Sequence, residues 1–223
     1  MWKFLPLLLL FTHLQAAPLP PELAESLKTF RAEGPRGWSF TQLTAAGNVS
    51  QRERFDASQP EFNRWSLVQK NGRTPTADEL RTYAEGKSRR SAGFNAPRIQ
   101  EQLDLNSATL LRTDPGRPQW QFRLKPGGAD DKSARFMMMT VTFHEPTRSV
   151  ERVEISNEKP FSPVLAVSIA ENRTVMNYSL PTSDRPSLLQ SVTLHLRGQA
   201  FWFKSLDEDM TIAFSDYEKA MKK

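Results

Sequence analysis

Apolar residues in this chain recur mostly at every second position, and a helical period interrupts that pattern twice. A strand sends alternate side chains to opposite faces, whereas a helix returns to one face every three or four residues. The segment 120–125 is the clearest strand, with Trp120, Phe122 and Leu124 set against Gln121, Arg123 and Lys125. The same alternation predicts strands at 37–43 through Trp38 and Phe40, at 64–72 through Trp65 and Leu67, and at 149–156 through Val153 and Ile155. Further strands follow at 164–170 (Leu165, Val167, Ile169), 174–180, 187–198, 201–206 and 210–217. The run 49–56 is more polar and suits an edge. Asn71-Gly72 is a turn dipeptide that closes the strand before it.

The helical period appears first at 20–30. There Leu23, Leu27 and Phe30 form one apolar stripe behind two prolines, which fit a helix start. It appears again at 76–87, where Thr76 and Glu79 form a capping box and Leu80 and Tyr83 a modest stripe. The segment 86–98 then reads as a polar, basic loop. Its Lys87, Arg89, Arg90 and Arg98 are candidates for contact with anionic lipid or a partner, against the plainer reading of a solvated loop.

The segment 136–144 departs from simple alternation. Met137, Met139, Val141 and Phe143 form one apolar face, while Phe136 and Met138 begin an opposite face that turns polar at Thr140, Thr142 and His144. A strand that is apolar on both sides needs cover on both. Either a helix packs over Phe136 and Met138, or a ligand does. Methionine's unbranched, polarisable side chain suits a flexible partner such as an acyl chain.

These elements predict a mainly β (α+β) fold: a single curled antiparallel sheet of about ten strands forming a half-barrel, with one or two short helices as a lid. One domain is expected over 17–223. The aromatic and methionine positions Trp38, Phe40, Trp65, Trp120, Phe122, Phe136, Met137, Met138, Met139 and Phe143 are then the candidate apolar surface for a ligand. Some of them must instead be core, because a sheet this wide needs burial to hold it.

The start of the chain changes the picture of where this domain works. A short basic region at Lys3, an apolar run from Phe4 to Phe11, and then small residues have the layout of a secretory signal peptide over residues 1–16. The run is too short to span a bilayer. The chain has no cysteine, hence no disulfide and no thiol for lipid anchoring, which together with the leader favours a bacterial periplasm. The net charge of +5 is mild and spread out, so it does not indicate nucleic acid. The expectation is a periplasmic, soluble protein without a lipid anchor or transmembrane segment.

A leader, a short amphipathic helix and a run of antiparallel strands resemble the half-barrel of bacterial lipoprotein-localisation factors of the LolA/LolB type. The phrase 64–80, a Trp-x-Leu strand running through a Gly-Arg-x-Pro-Thr turn into a helix, also resembles a motif of uncharacterised secreted proteobacterial proteins. The closing stretch 194–217 has the same character. The fold resemblance implies an inner face that holds acyl chains. The missing lipobox cysteine departs from the membrane-anchored receptor type, and no single acyl-binding residue carries over.

Catalytic chemistry has little to stand on. His144 and His195 lie in no zinc-type spacing, and no nucleophile elbow, phosphate loop or dinucleotide fingerprint occurs. Asp207, Glu208 and Asp209 lack the offsets of a calcium loop. No cofactor, metal or catalytic residue is expected. The function read from the sequence is capture of a hydrophobic or amphipathic ligand, a lipid or lipoprotein acyl chain, inside the half-barrel. The alternative is a cell-envelope protein–protein interaction module whose barrel is packed and empty of ligand.

Overall fold

The computed structural model describes residues 18–32, 37–91, 99–127 and 133–220. The expected leader and Arg98 lie outside these residues. One antiparallel sheet of 11 strands runs through the molecule in the spatial order β3-β2-β1-β11-β9-β8-β7-β6-β5-β4, with β10 beside β9. The sheet does not close: β3 and β4 are its two edges. The mainly β, curled half-barrel architecture expected from alternation is therefore present, with three short helices among the described residues on its inner face.

In chain order the elements are α1 (Pro21–Thr29), β1 (Trp38–Ala46), β2 (Val49–Phe55), β3 (Trp65–Lys70), α2 (Ala77–Ser91), α3 (Ile99–Gln102), β4 (Leu103–Asp114) and β5 (Arg117–Leu124). Then come β6 (Met137–His144), β7 (Ser149–Asn157), β8 (Val167–Tyr178), β9 (Leu189–Ala200), β10 (Lys204–Ser205) and β11 (Glu208–Lys219).

Pro21 opens α1, where its missing N–H costs no hydrogen bond. Leu23 and Leu27, one helical turn apart, are fully buried, and that stripe fixes α1 against the sheet. Phe30 leaves the helix in an extended conformation and packs edge-to-face on Tyr178 at 4.9 Å. The capping box of α2 forms in both directions: Thr76 Oγ1 accepts from the Glu79 N–H at 3.3 Å, and Glu79 Oε2 accepts from the Thr76 N–H at 2.9 Å. The turn after β3 has positive φ at both Asn71 (50°) and Gly72 (75°), as a two-residue hairpin turn requires.

The main core joins α1 and α3 to strands β4 to β9. Leu23, Leu27, Leu103, Phe122, Val141 and Val153 are all completely buried there. A smaller cluster of Met137, Phe161 and Ile169 closes one end.

Four expectations need correction. The run 49–56 is not the edge; β2 lies one strand in, and β3 takes the edge. The loop expected from residue 86 does not begin there, because α2 continues to Ser91. Gly86 lowers helix propensity by only about 1 kcal/mol, too little to end a capped helix. Lys87, Arg89 and Arg90 are therefore helical residues. The expected strand 164–170 begins only at Val167, and 201–206 shrinks to β10, leaving Val164, Leu165 and Phe201 to Phe203 in exposed turns. Finally, Phe136 precedes β6, in a single 3-10 turn over Ala134–Phe136, so strand alternation does not apply to it. Its ring stacks on Phe161 at 5.0 Å, and the Arg135 guanidinium lies 4.6 Å over it. A connecting segment covers Phe136, rather than a helix.

Candidate functional site

A row of residues directly opposite one another crosses the inner face of the sheet. From the β4 edge it reads Leu110, Trp120, Val141, Val153, Met176, Val192 and Ile212, then Thr44, Gln51 and Lys70. Seven strands present apolar side chains, and the last three present polar ones. The row beside it behaves alike, running from Phe214 to Gln42 and Glu53 before ending on Leu67. The apolar stretch lies under α1 and α3. The polar stretch lies under α2, and there the inner face opens into a cleft of about 590 Å³.

The floor of the cleft is Gln42, Thr44, Gln51, Glu53, Leu67, Lys70, Met210 and Ile212, and its roof is Asp78, Glu79, Thr82 and Tyr83 of α2. Glu53 is 4% exposed. Its carboxylate accepts from Tyr83 Oη at 2.8 Å and from Gln42 Nε2 at 3.0 Å, so a buried charge ties the roof helix to the sheet. Burial first, and then the negative Glu53, push the Tyr83 phenol far above its ordinary pKa, so it stays protonated as a donor. At the other end of the cleft Arg73 grips Glu79 with both terminal nitrogens at 2.9 and 2.8 Å, and Lys70 Nζ adds a contact at 3.3 Å. The Arg73 hydrogen bonds lead in pulling the Glu79 carboxyl down to about 2, with the Thr76 N–H next.

A smaller hollow of about 340 Å³ shares Leu67 and Tyr83 with this cleft and adds Phe62, Trp65 and Leu80. Beyond it, Phe40, Phe55, Trp65, Phe214 and Tyr217 form one aromatic cluster with ring centroids 5.0 to 5.7 Å apart. The cleft thus has a polar centre, an apolar side at Met210, Ile212 and Leu67, and an aromatic end.

The residues singled out from the sequence fall into separate places. Phe40 and Trp65 meet at the aromatic end of the cleft, with rings 5.7 Å apart, while Trp38 is half-buried at the start of β1. Trp120, Phe122, Met139 and Phe143 are at most 3% exposed and packed in the main core under α1 and α3. Met137 and Phe136 belong to the end cluster with Phe161. Met138 points to the outer face between Arg123 and Ser156 and is nonetheless buried. The side chains of Lys87, Arg89 and Arg90 lie outside the described residues. Gln42, Thr44, Gln51 and Glu53 escaped the sequence reading, because Gln51 and Glu53 alternate with Arg52 and Arg54, and Gln42 and Thr44 are polar positions opposite Leu43 and Ala45, so no period marks them as an inner side.

On the outer face His195 Nδ1 lies 2.6 Å from Asp209, which also accepts from Arg197 Nη2 at 2.6 Å. His144 Nδ1 pairs with Thr147 Oγ1 at 2.7 Å. Among the described residues no group of three or more His, Cys, Asp and Glu side chains is disposed to hold a metal ion, and no helix is long and apolar enough to cross a membrane.

No family model matches the chain, and no curated protein matches it. Among solved structures, an isomerase-inactive variant of GphF DH1 aligns over 90% of this chain and 80% of its own at 11% identity, with a TM-score of 0.19. A likeness at that score carries no argument about fold or activity.

Proposed function

We propose that this protein is an exported, non-enzymatic binding protein that captures an amphipathic ligand, a lipid or an acylated molecule, on the inner face of its half-barrel. One observation carries the reading. The inner face is filled by the protein's own side chains along β4 to β9, but under α2 it leaves a cleft of about 590 Å³, within the range of ligand pockets. The lining selects for mixed chemistry. Met210, Ile212 and Leu67 take an apolar segment, whereas Gln42, Gln51 and Lys70 take hydrogen-bonding groups. The resemblance to lipoprotein-localisation factors supports the same ligand class, but this cleft sits toward the β3 edge, away from the methionine strand. Entry proceeds by outward movement of α2, which is tied to the sheet by the buried Tyr83–Glu53 hydrogen bond and the more exposed Glu79 pairs with Arg73 and Lys70.

Native mass spectrometry of protein prepared from the periplasm without detergent, followed by extraction and lipid analysis, tests this. A stoichiometric adduct is expected, and it should be lost in Gln51→Phe, which fills the cleft from a half-buried strand position. Circular dichroism checks that this variant folds. Bare wild-type protein, or an adduct that Gln51→Phe leaves in place, overturns the reading and favours the envelope interaction module.

A further inference from the structure

Two turns at one end of the sheet expose five large apolar side chains. Val164 and Leu165 precede β8, and Phe201, Trp202 and Phe203 follow β9; their exposures run from 57% at Phe201 to 98% at Leu165. The turns are neighbours, because the Phe201 N–H donates to the Ala166 carbonyl at 2.7 Å. Below them the strands are flanked on both sides, by Phe161 bridged to Ile169 and by β10 paired with Gln199 and Ala200. The ladder of β7 on β8 ends at Ser156 and Arg173, and that of β11 on β9 at Glu208 and Leu196, while β8 and β9 stay paired to Val167 and Ala200. β8 and β9 therefore stay paired about six residues past the last β7 partner, roughly 20 Å at strand rise, with the Phe161 bridge and β10 alongside, and the two turns lie bare at the end.

The backbone is committed to this display. Ala166, Phe201 and Trp202 have φ of 65°, 52° and 64°, a region that bulky residues adopt only against strain. Farther along the strand pair the packing is close: a Cβ on Gly198 would lie 2.7 Å from the Ser168 carbonyl oxygen. Charge is arranged to match an anionic surface. Lys204 follows the aromatic triplet directly, is exposed, and has no ion pair among the described residues. Asp207 is turned back onto the Gly198 N–H at 3.2 Å, and the chain as a whole carries +5.

We propose that this tip is a membrane-docking wedge, which places Trp202, Phe203 and Leu165 in the interface of a bilayer containing anionic phospholipid. An exposed apolar point at the end of the sheet fits a deformable lipid surface, where aromatic rings settle at headgroup level. Lys204 at its base meets the negative surface potential. The wedge is independent of the cleft: it would hold the protein at a membrane whether or not the cleft carries a ligand.

Flotation of protein prepared from the periplasm with vesicles of phosphatidylethanolamine and phosphatidylglycerol tests the wedge. Wild-type protein should float, and the triple variant F201S/W202S/F203S should bind at least tenfold more weakly, as should the single variant Leu165→Ser. Lys204→Glu should weaken binding severalfold on these vesicles and leave binding to phosphatidylcholine vesicles unchanged. Brominated lipid should quench more fluorescence in wild type than in Trp202→Phe, the difference reporting Trp202 alone. Equal flotation of wild type and the serine variants, no flotation of either, or vesicle-independent dimers abolished by the triple variant would overturn the proposal, the last by assigning the tip to a second copy of the chain. Gln51→Phe should float like wild type, so failure of the cleft reading and failure of the wedge appear in different assays.

Discussion

Replacing Tyr83 by Phe removes one oxygen atom and keeps the ring, so it isolates the tie between α2 and the sheet. The hydroxyl donates at 2.8 Å to Glu53, a carboxylate that is 4% exposed. A hydrogen bond to a charged acceptor contributes about 1.5–3 kcal/mol, and its loss leaves part of a buried charge unsolvated. Among the described residues Glu79 also ties the helix to Lys70 and Arg73, and Leu80 and the Tyr83 ring line a hollow with Leu67 and Trp65. The lost energy should therefore appear as local opening of α2, well below the free energy of global unfolding. At 1.4 kcal/mol per tenfold, the opening equilibrium should rise roughly 10- to 100-fold. Hydrogen exchange followed by mass spectrometry reads this directly. Peptides within 77–86 should exchange faster in the variant at neutral pH, while peptides from β5 and β6 keep their wild-type rates. Unchanged exchange in α2 would refute the reasoning by showing that the hydroxyl is not what holds the helix down. The pH dependence has a definite sign. The folded-state pKa of Tyr83 is raised, so its contribution is complete below the ordinary tyrosine value of about 10 and is lost as pH climbs beyond it. The wild-type and variant exchange rates should converge in strong alkali.

Glu79 supplies the opposite sign at the other end of α2: its carboxyl is held down to about 2, chiefly by Arg73, so its stabilising effect is present above about pH 4.3 and fades as pH falls toward 2. Melting followed by circular dichroism should show both proteins losing stability in acid, because Asp56, Glu154 and Asp209 are held down as well, with Glu79→Gln less stable at neutral pH and its deficit closing as pH falls below about 4; parallel curves would contradict the assignment. Phe122→Ala, at a fully buried ring in the main core, should cost about 3–5 kcal/mol in urea unfolding with an unchanged slope. A cost under about 1 kcal/mol would mean that the β4–β9 core can collapse around the gap.

The chain's own pattern determined the repeating local features. Alternation at Trp120, Phe122 and Leu124 marks β5, the Thr76–Glu79 box marks the start of α2, and Asn71-Gly72 marks a two-residue turn, because each depends on residues within one turn or one strand of each other. Alternation also tells which side chains share a face, and from the number of such strands follows a wide, curled antiparallel sheet. It is silent on what that face meets. Gln51 and Glu53 look like solvent-facing residues of a polar strand, and only pairing with Thr44, Gln42 and Leu67 turns them onto the inner side beneath α2. Phe201, Trp202 and Phe203 look like core, and only their place in the turn between β9 and β10, at the end of the sheet, leaves them in the open. Hydrophobicity constrains a residue to seek cover, but whether cover exists depends on strands far apart in sequence. The register and length of those strands are properties of the assembled sheet.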